Sequence, residues 1–151
     1  MPFVTLLTLS TLFATPGSTL ARGASMSPEL ARAAATSFIA RLQAGDVAGA
    51  VALCDAPFIT HEQKTLGSIA EVTKYFQAMI PGTPPEQQPN AIISVRSYAE
   101  TRGETADEVL EVRDQVLKQD GYVVFVGRNG RLGGVLLVRV KDNVARVVGV
   151  G

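Results

Sequence analysis

The three β-rich runs at the end of the chain constrain its fold more than anything before them. Tyr122 to Gly127, Leu132 to Val140 and Val144 to Val150 are joined through Asn129-Gly130 and Asp142-Asn143. Asn-Gly supplies the positive φ angles that a two-residue hairpin turn requires, and Asp-Asn does so less readily. An antiparallel meander is the expectation. Such runs point to an architecture and name no reaction.

The turns also imply a register. With Asn129-Gly130 at the first turn, Val123 falls opposite Leu136 and Phe125 opposite Gly134. With Asp142-Asn143 at the second, Arg139 falls opposite Arg146. One face then carries Val123, Phe125, Leu136, Val138, Val140, Ala145 and Val147, and is expected to cover the helices. The other carries Tyr122, Val124, Val126, Val135, Leu137, Val148 and Val150 together with Arg139 and Arg146. Opposed like charges cost energy unless an anion or a carboxylate lies between them. Arg139 and Arg146 are therefore candidates for an interface or anion site, against the simpler reading of solvated arginines whose stems cover valines. The valines on this second face exceed what a solvated sheet needs. They point to burial against a helix or a second subunit, as in a homodimer through the sheet.

The 151 residues suit one domain. With 46% hydrophobic and 19% charged residues the composition is globular, not disordered. The formal net charge is zero, which leaves no basic field to collect phosphates, so no nucleic-acid partner is expected. The first charged side chain is Arg22. The apolar run from Phe3 to Ala14, followed by small residues, fits a secretory signal peptide over residues 1–21, cleaved after Ala21, with a short linker at 22–26. No Lys or Arg precedes the run, and it is too short to span a bilayer comfortably. The expected location is outside the cytoplasm, periplasmic or secreted, with no stable membrane span. Cys54 is the only cysteine. It reads as a small buried apolar side chain and excludes an intramolecular disulfide.

Residues 27–151 then make the domain. Ser27-Pro28-Glu29 is a helix start, with Leu30, Ala34, Phe38, Ile39 and Leu42 as its apolar stripe. Gly45 closes that helix and Asp46 caps a short second one. Ala56 to Thr60 is a short strand in which Pro57 marks an edge or a strand start, with His61 to Lys64 as its turn. Ser68 and Glu71 form a capping box for a third helix carrying Val72, Phe76 and Met79. Pro81 to Pro89 is a stiff polar loop, and Ala91 to Tyr98 a strand. Thr105 and Glu108 read as a second capping box, opening a fourth helix of about fourteen residues. Early helices set against a late antiparallel sheet give an α+β fold.

The stretch Ala40-Arg-Leu-Gln-Ala-Gly-Asp46-Val-Ala-Gly-Ala50 resembles the helix–Gly-Asp–helix opening of the NTF2-like superfamily, which includes SnoaL-like proteins and ketosteroid isomerases. The third helix and the sheet order fit as well, so the resemblance covers about residues 27–151; the fourth helix departs from the simplest members. It implies a cone, a curved antiparallel sheet packed on the N-terminal helices, with a pocket in its mouth. In isomerase-like members a pocket carboxylate takes a proton while a tyrosine and a protonated acid hold the oxyanion. Here no carboxylate falls inside the three terminal strands, and Phe38 stands where a tyrosine donor would serve.

The candidates for chemistry are few. His61, the only histidine, could act as a general base near Asp55, or be a turn residue. Asp46 and Asp107 suit helix starts; Asp55 is the acid without an obvious structural role. Tyr75, Tyr98 and Phe38 are the candidate ligand contacts. One His and one Cys fall short of a zinc site, so neither metal nor cofactor is expected. Binding of a small apolar ligand, or of a protein partner, is favoured over catalysis. The alternative is proton transfer or hydrolysis in the cone through Asp55 or His61.

Overall fold

The computed structural model describes residues 17–118 and 120–151, with side-chain surroundings from Ser27 onward. Residues 1–16, and with them most of the expected leader, lie outside the described residues.

Helix α1 spans Gly17–Gln43, so the expected start at Ser27 is corrected: Ser27 and Pro28 lie inside the helix. Pro28 removes one N–H, but the Ala, Arg and Met residues before it are strong helix formers and carry the backbone through. Ala31, Ala35, Phe38 and Ile39 are buried, spaced to form one face. Gly45 ends the helix at φ 70. Asp46 then caps α2, Val47–Val51, by accepting from the Gly49 N–H at 2.9 Å.

Strand β1, Cys54–Ile59, turns through His61 into the short β2, Thr65–Leu66. Helix α3, Ile69–Gly82, opens with the expected Ser68–Glu71 capping box, both halves made. After β3, Ala91–Ser97, the chain departs from expectation. A short helix α4, Tyr98–Thr101, is capped by a Ser97–Glu100 box that the strand reading passed over. The fourth helix of the sequence reading becomes α5, Asp107–Arg113, only seven residues long. Thr105 does not cap it. Its hydroxyl turns back to the Thr101 carbonyl at 2.7 Å, and Ala106 stands at the N-cap without a side-chain bond.

The last strands are β4 (Gly121–Arg128), β5 (Arg131–Lys141) and β6 (Val144–Val150). Both turns form as expected, with positive φ at Asn129 and Gly130 and at Asp142 and Asn143. The sheet order is β2-β1-β6-β5-β4-β3. β1 runs parallel to β6 and antiparallel to β2, so it is not an edge, and Pro57 falls in the irregular stretch between its paired ends.

The register holds only near the turns. Arg128 pairs with Arg131 and Gly127 with Leu132, but Val126 pairs with Gly134, leaving Gly133 as an extra residue. That bulge shifts the rest of the ladder by one, and a one-residue shift exchanges the faces of a strand. Phe125 therefore faces Val135, and Val123 faces Leu137. A second bulge at Val148 moves Val150 to the other face. Arg139 and Arg146 remain directly opposed, as the turn predicts.

Two cores result. Between the sheet and α1, α2 and α3 lie Phe38, Phe58, Phe76, Val124, Val126, Leu136, Val138 and Val147. On the other face Ile59, Tyr98, Val116, Leu117, Val123, Leu137 and Val148 pack together, with Phe125 half-buried beside them. The placement of Val123 and Phe125 under the N-terminal helices is thus corrected, as is that of Tyr122, Val124, Val126 and Val150 on the opposite face. The expected helical cover of the second face is present, supplied by α4, α5 and the turn after α5. The architecture is α+β, a six-stranded sheet packed on one face against the N-terminal helices.

Candidate ligand-binding chamber

An apolar chamber forms where α1 and α3 leave a gap over the sheet. Phe38, Ile39 and Leu42 on the last turns of α1 face Met79 and Ile80 near the end of α3, and Val126 and Leu136 of the sheet form the floor. Between them is a cavity of about 160 Å³. The loop after α3 completes it with Thr83, Gln88 and Pro89. That loop is tied down from outside: Arg128 Nε donates to the Gln88 carbonyl at 2.9 Å and Nη2 to the Pro85 carbonyl at 2.7 Å. Gln43 Nε2 donates to the Pro89 carbonyl at 3.1 Å.

The polar side chain of most interest in this chamber is Gln88. Its Nε2 donates to the Thr83 carbonyl at 3.0 Å, which fixes the orientation of the amide. Its Oε1 is buried and has no hydrogen-bond partner among the described residues. An acceptor left so costs about 1–3 kcal/mol unless something donates to it.

A second cleft of about 190 Å³ adjoins the first, sharing Phe38, Leu42, Met79, Pro89, Val126 and Leu136 with it. His61 and Tyr75 stand at this outer end. The Tyr75 hydroxyl lies 2.6 Å from His61 Nδ1. Burial raises the Tyr75 phenol above its ordinary range, with the backbone N–H of His61 acting against it. The ring of Tyr75 stacks edge-on against Phe76, centroids 5.1 Å apart, and so holds the hydroxyl at the rim.

Three of the sequence candidates therefore meet: Phe38, Tyr75 and His61. Tyr98 does not join them. It lies 3% exposed in the second core, across the sheet, with its hydroxyl on Asp114 at 2.5 Å. Burial, and then that bond, push the Tyr98 phenol up to about 12. Arg102 grips the same Asp114 carboxylate and lies over the Tyr98 ring, so the cluster fastens α4 to the end of α5.

Asp55 lines neither cavity. Its Oδ2 accepts from Arg139 Nη2 at 2.6 Å, and its Oδ1 from the Ala56 N–H at 2.9 Å. Arg146 donates to the Ala52 carbonyl at 2.5 Å. The opposed arginines are thus relieved from within the chain, one by a carboxylate and one by a carbonyl. Asp46 caps α2, and that bond to Gly49 holds its carboxyl below the usual range. Asp107 stands in the first turn of α5, where the helix dipole favours it.

Sequence reasoning missed most of the chamber lining as site residues, Leu42, Met79, Gln88 and Pro89 among them. Leu42 and Met79 stood among ordinary core positions, and nothing in the Pro-rich loop marks Gln88 as inward. Among the described residues, no three His, Cys, Asp or Glu side chains gather as a metal would need, and no helix is long and apolar enough to cross a membrane.

No protein-family model matches the chain, and no curated protein matches it. Among solved structures it is similar to a protein of Xanthomonas campestris described as a calcium/calmodulin dependent protein kinase II association domain. The identity is 12%, the match covers 96% of this chain and 94% of that one, and the TM-score is 0.40. At that level nothing of that protein's role transfers to this chain.

Proposed function

We propose that the protein binds a small, largely apolar molecule bearing one hydrogen-bond donor, in the chamber between α1, α3 and the sheet. The observation that carries this is the apolar cavity, with Gln88 at its edge, whose buried Oε1 has no partner among the described residues. Burial of a ligand's apolar body there contributes about 25 cal/mol per Å² removed from water. A hydroxyl or N–H on the ligand would satisfy Gln88 and set its orientation. As to subfamily, the open chamber favours a ligand-binding cone over a solid structural one. The apolar run before Arg22 supports export, and with it binding outside the cytoplasm.

The neutral fluorophore N-phenyl-1-naphthylamine tests the reading. Its emission should rise saturably with the native protein. Leu42→Trp, which fills the space shared by both cavities, should reduce that rise by about tenfold or more, while the melting temperature moves little. Equal responses from the two proteins would contradict the assignment.

The His61–Tyr75 pair supports a second reading, proton transfer at the outer cleft. It requires His61 or Tyr75 to touch the ligand's reacting atom. α-Proton exchange of cyclohexanone in D2O, accelerated by the protein and lost in His61→Gln, would favour it. Exchange at the buffer rate would leave binding alone.

A further inference from the structure

The second face of the sheet holds an arginine with no ion-pair partner among the described residues. Arg113, the last residue of α5, lines a groove of about 310 Å³ walled by Val109, Val123, Phe125 and Val135. Its Nε is buried and has no hydrogen-bond partner among the described residues. The acids nearby are already engaged. Glu104, which lines the same groove, holds Arg96 through two bonds of 2.7 and 3.2 Å. Asp114 is taken by Arg102 and Tyr98. The hydroxyls of Thr101 and Thr105 on the groove wall donate to the main-chain carbonyls of Tyr98 and Thr101. Nη2 of Arg113 approaches Gly151, whose carbonyl accepts from the Val135 N–H at 2.7 Å.

Arg113 is half-buried, and the part of its guanidinium drawn out of water without a counter-charge costs free energy. Burial pulls the Arg113 guanidinium below its ordinary range, while the Tyr98 phenol acts in the opposite sense. A guanidinium offers a planar fork of N–H donors that matches a carboxylate. One side of the groove is apolar, formed by Val109, Val123, Phe125 and Val135, of which Phe125 and Val135 are only half-buried. The groove therefore combines an anion receptor with a surface for an apolar body.

We propose that this groove is a carboxylate-binding site for a small acid with an aromatic or branched aliphatic body. Arg113 receives the carboxylate, and Phe125 and Val135 pack against the body. The site lies across the sheet from the cone chamber and stands independently of the ligand proposed there.

Methyl NMR of the isotope-labelled protein, titrated separately with benzoate, benzyl alcohol and inorganic phosphate, tests it. Benzoate should shift the methyls of Val109, Val123 and Val135 saturably. Benzyl alcohol lacks the charge and phosphate lacks the body, so each should bind about tenfold or more weakly. These three arms use the native protein, so they stand even where a variant folds poorly. Arg113→Gln should abolish the benzoate shifts, and Arg113→Lys, which keeps the charge and loses the fork, should weaken them. Equal responses to the three probes would overturn the proposal, phosphate binding as well as benzoate among them. So would benzoate shifts confined to the Leu42 and Leu136 methyls of the cone, or unchanged binding by Arg113→Gln.

Discussion

Oδ2 of Asp55 meets Nη2 of Arg139 at 2.6 Å across 84 positions of sequence, and so ties β1 to the middle strand of the meander. The contact explains how two arginines can stand opposed on adjacent strands. It also removes Asp55 from the chamber chemistry that its place beside β1 suggested.

Because Asp55 is half exposed and Arg139 about a quarter, the pair should contribute modestly. A double-mutant cycle over Asp55→Asn and Arg139→Gln should give a coupling of about 1 kcal/mol or less. Arg139→Ala with Arg146→Ala then separates two roles for this face. If it is a subunit contact, sedimentation velocity should show a smaller species than the native protein under the same conditions. If the arginines serve only Asp55 and Ala52, the sedimentation coefficient should not change.

The exchanged faces of β4 predict unequal costs for two aromatic deletions. Phe76 is fully buried, packed edge-on against Phe38 and Phe58. Phe76→Ala should cost about 3–5 kcal/mol in a denaturant melt. Phe125 is half-buried on the groove side, and Phe125→Ala should cost only about 1–2 kcal/mol. Equal losses would mean that the bulge at Gly133 is misplaced.

Alkaline pH should destabilise the fold. Burial raises Cys54 from 9.0 to about 12, and burial with the Asp114 bond raises Tyr98 from 10.0 to about 12. In the unfolded chain the thiol and phenol lose their protons near their ordinary values, while the folded chain keeps them. Stability is therefore full below about pH 9 and declines as pH rises toward 12. For Cys54 alone the loss should reach roughly 1 kcal/mol by pH 10. Urea melts at pH 8, 9 and 10 measure it, and Cys54→Ala should flatten the slope. The same burial predicts that iodoacetamide labels Cys54 only on unfolding.

Export is checked at the N-terminus. Protein from its native host should begin at or near Arg22 by mass spectrometry. An intact Met1 or Pro2 on a soluble cytoplasmic protein would contradict it.

The legible parts of this fold were those in which a local signal has a local cause. Asn129-Gly130, Asp142-Asn143, the Gly45-Asp46 junction and the Ser68–Glu71 box each act within a few residues, and each stands where the sequence indicates. The face assignment failed at two bulges, at Gly133 and, for Val150 alone, at Val148. A glycine pair in a strand offers no side chain to show which residue steps out of the ladder, and a single step exchanges all of β4. The short α4 was hidden because Ser97 and Tyr98 continue the β pattern of the strand before them. The site was half visible. Phe38, Tyr75 and His61 converge because α1, α3 and the β1–β2 turn converge, which the cone implies. Gln88 and Arg113 matter through what does not bond to them, and spacing along a chain carries no sign of that.

By this reading the chamber between α1, α3 and the sheet holds a small apolar molecule with one donor, oriented by Gln88. A crystal structure of the protein with 4-bromophenol, with anomalous data at the bromine edge, tests it most directly. The bromine peak should lie among Phe38, Met79 and Leu136, with the phenol hydroxyl within hydrogen-bond distance of Gln88 Oε1. A bromine peak outside the cone, or none at saturating concentration, would contradict the account.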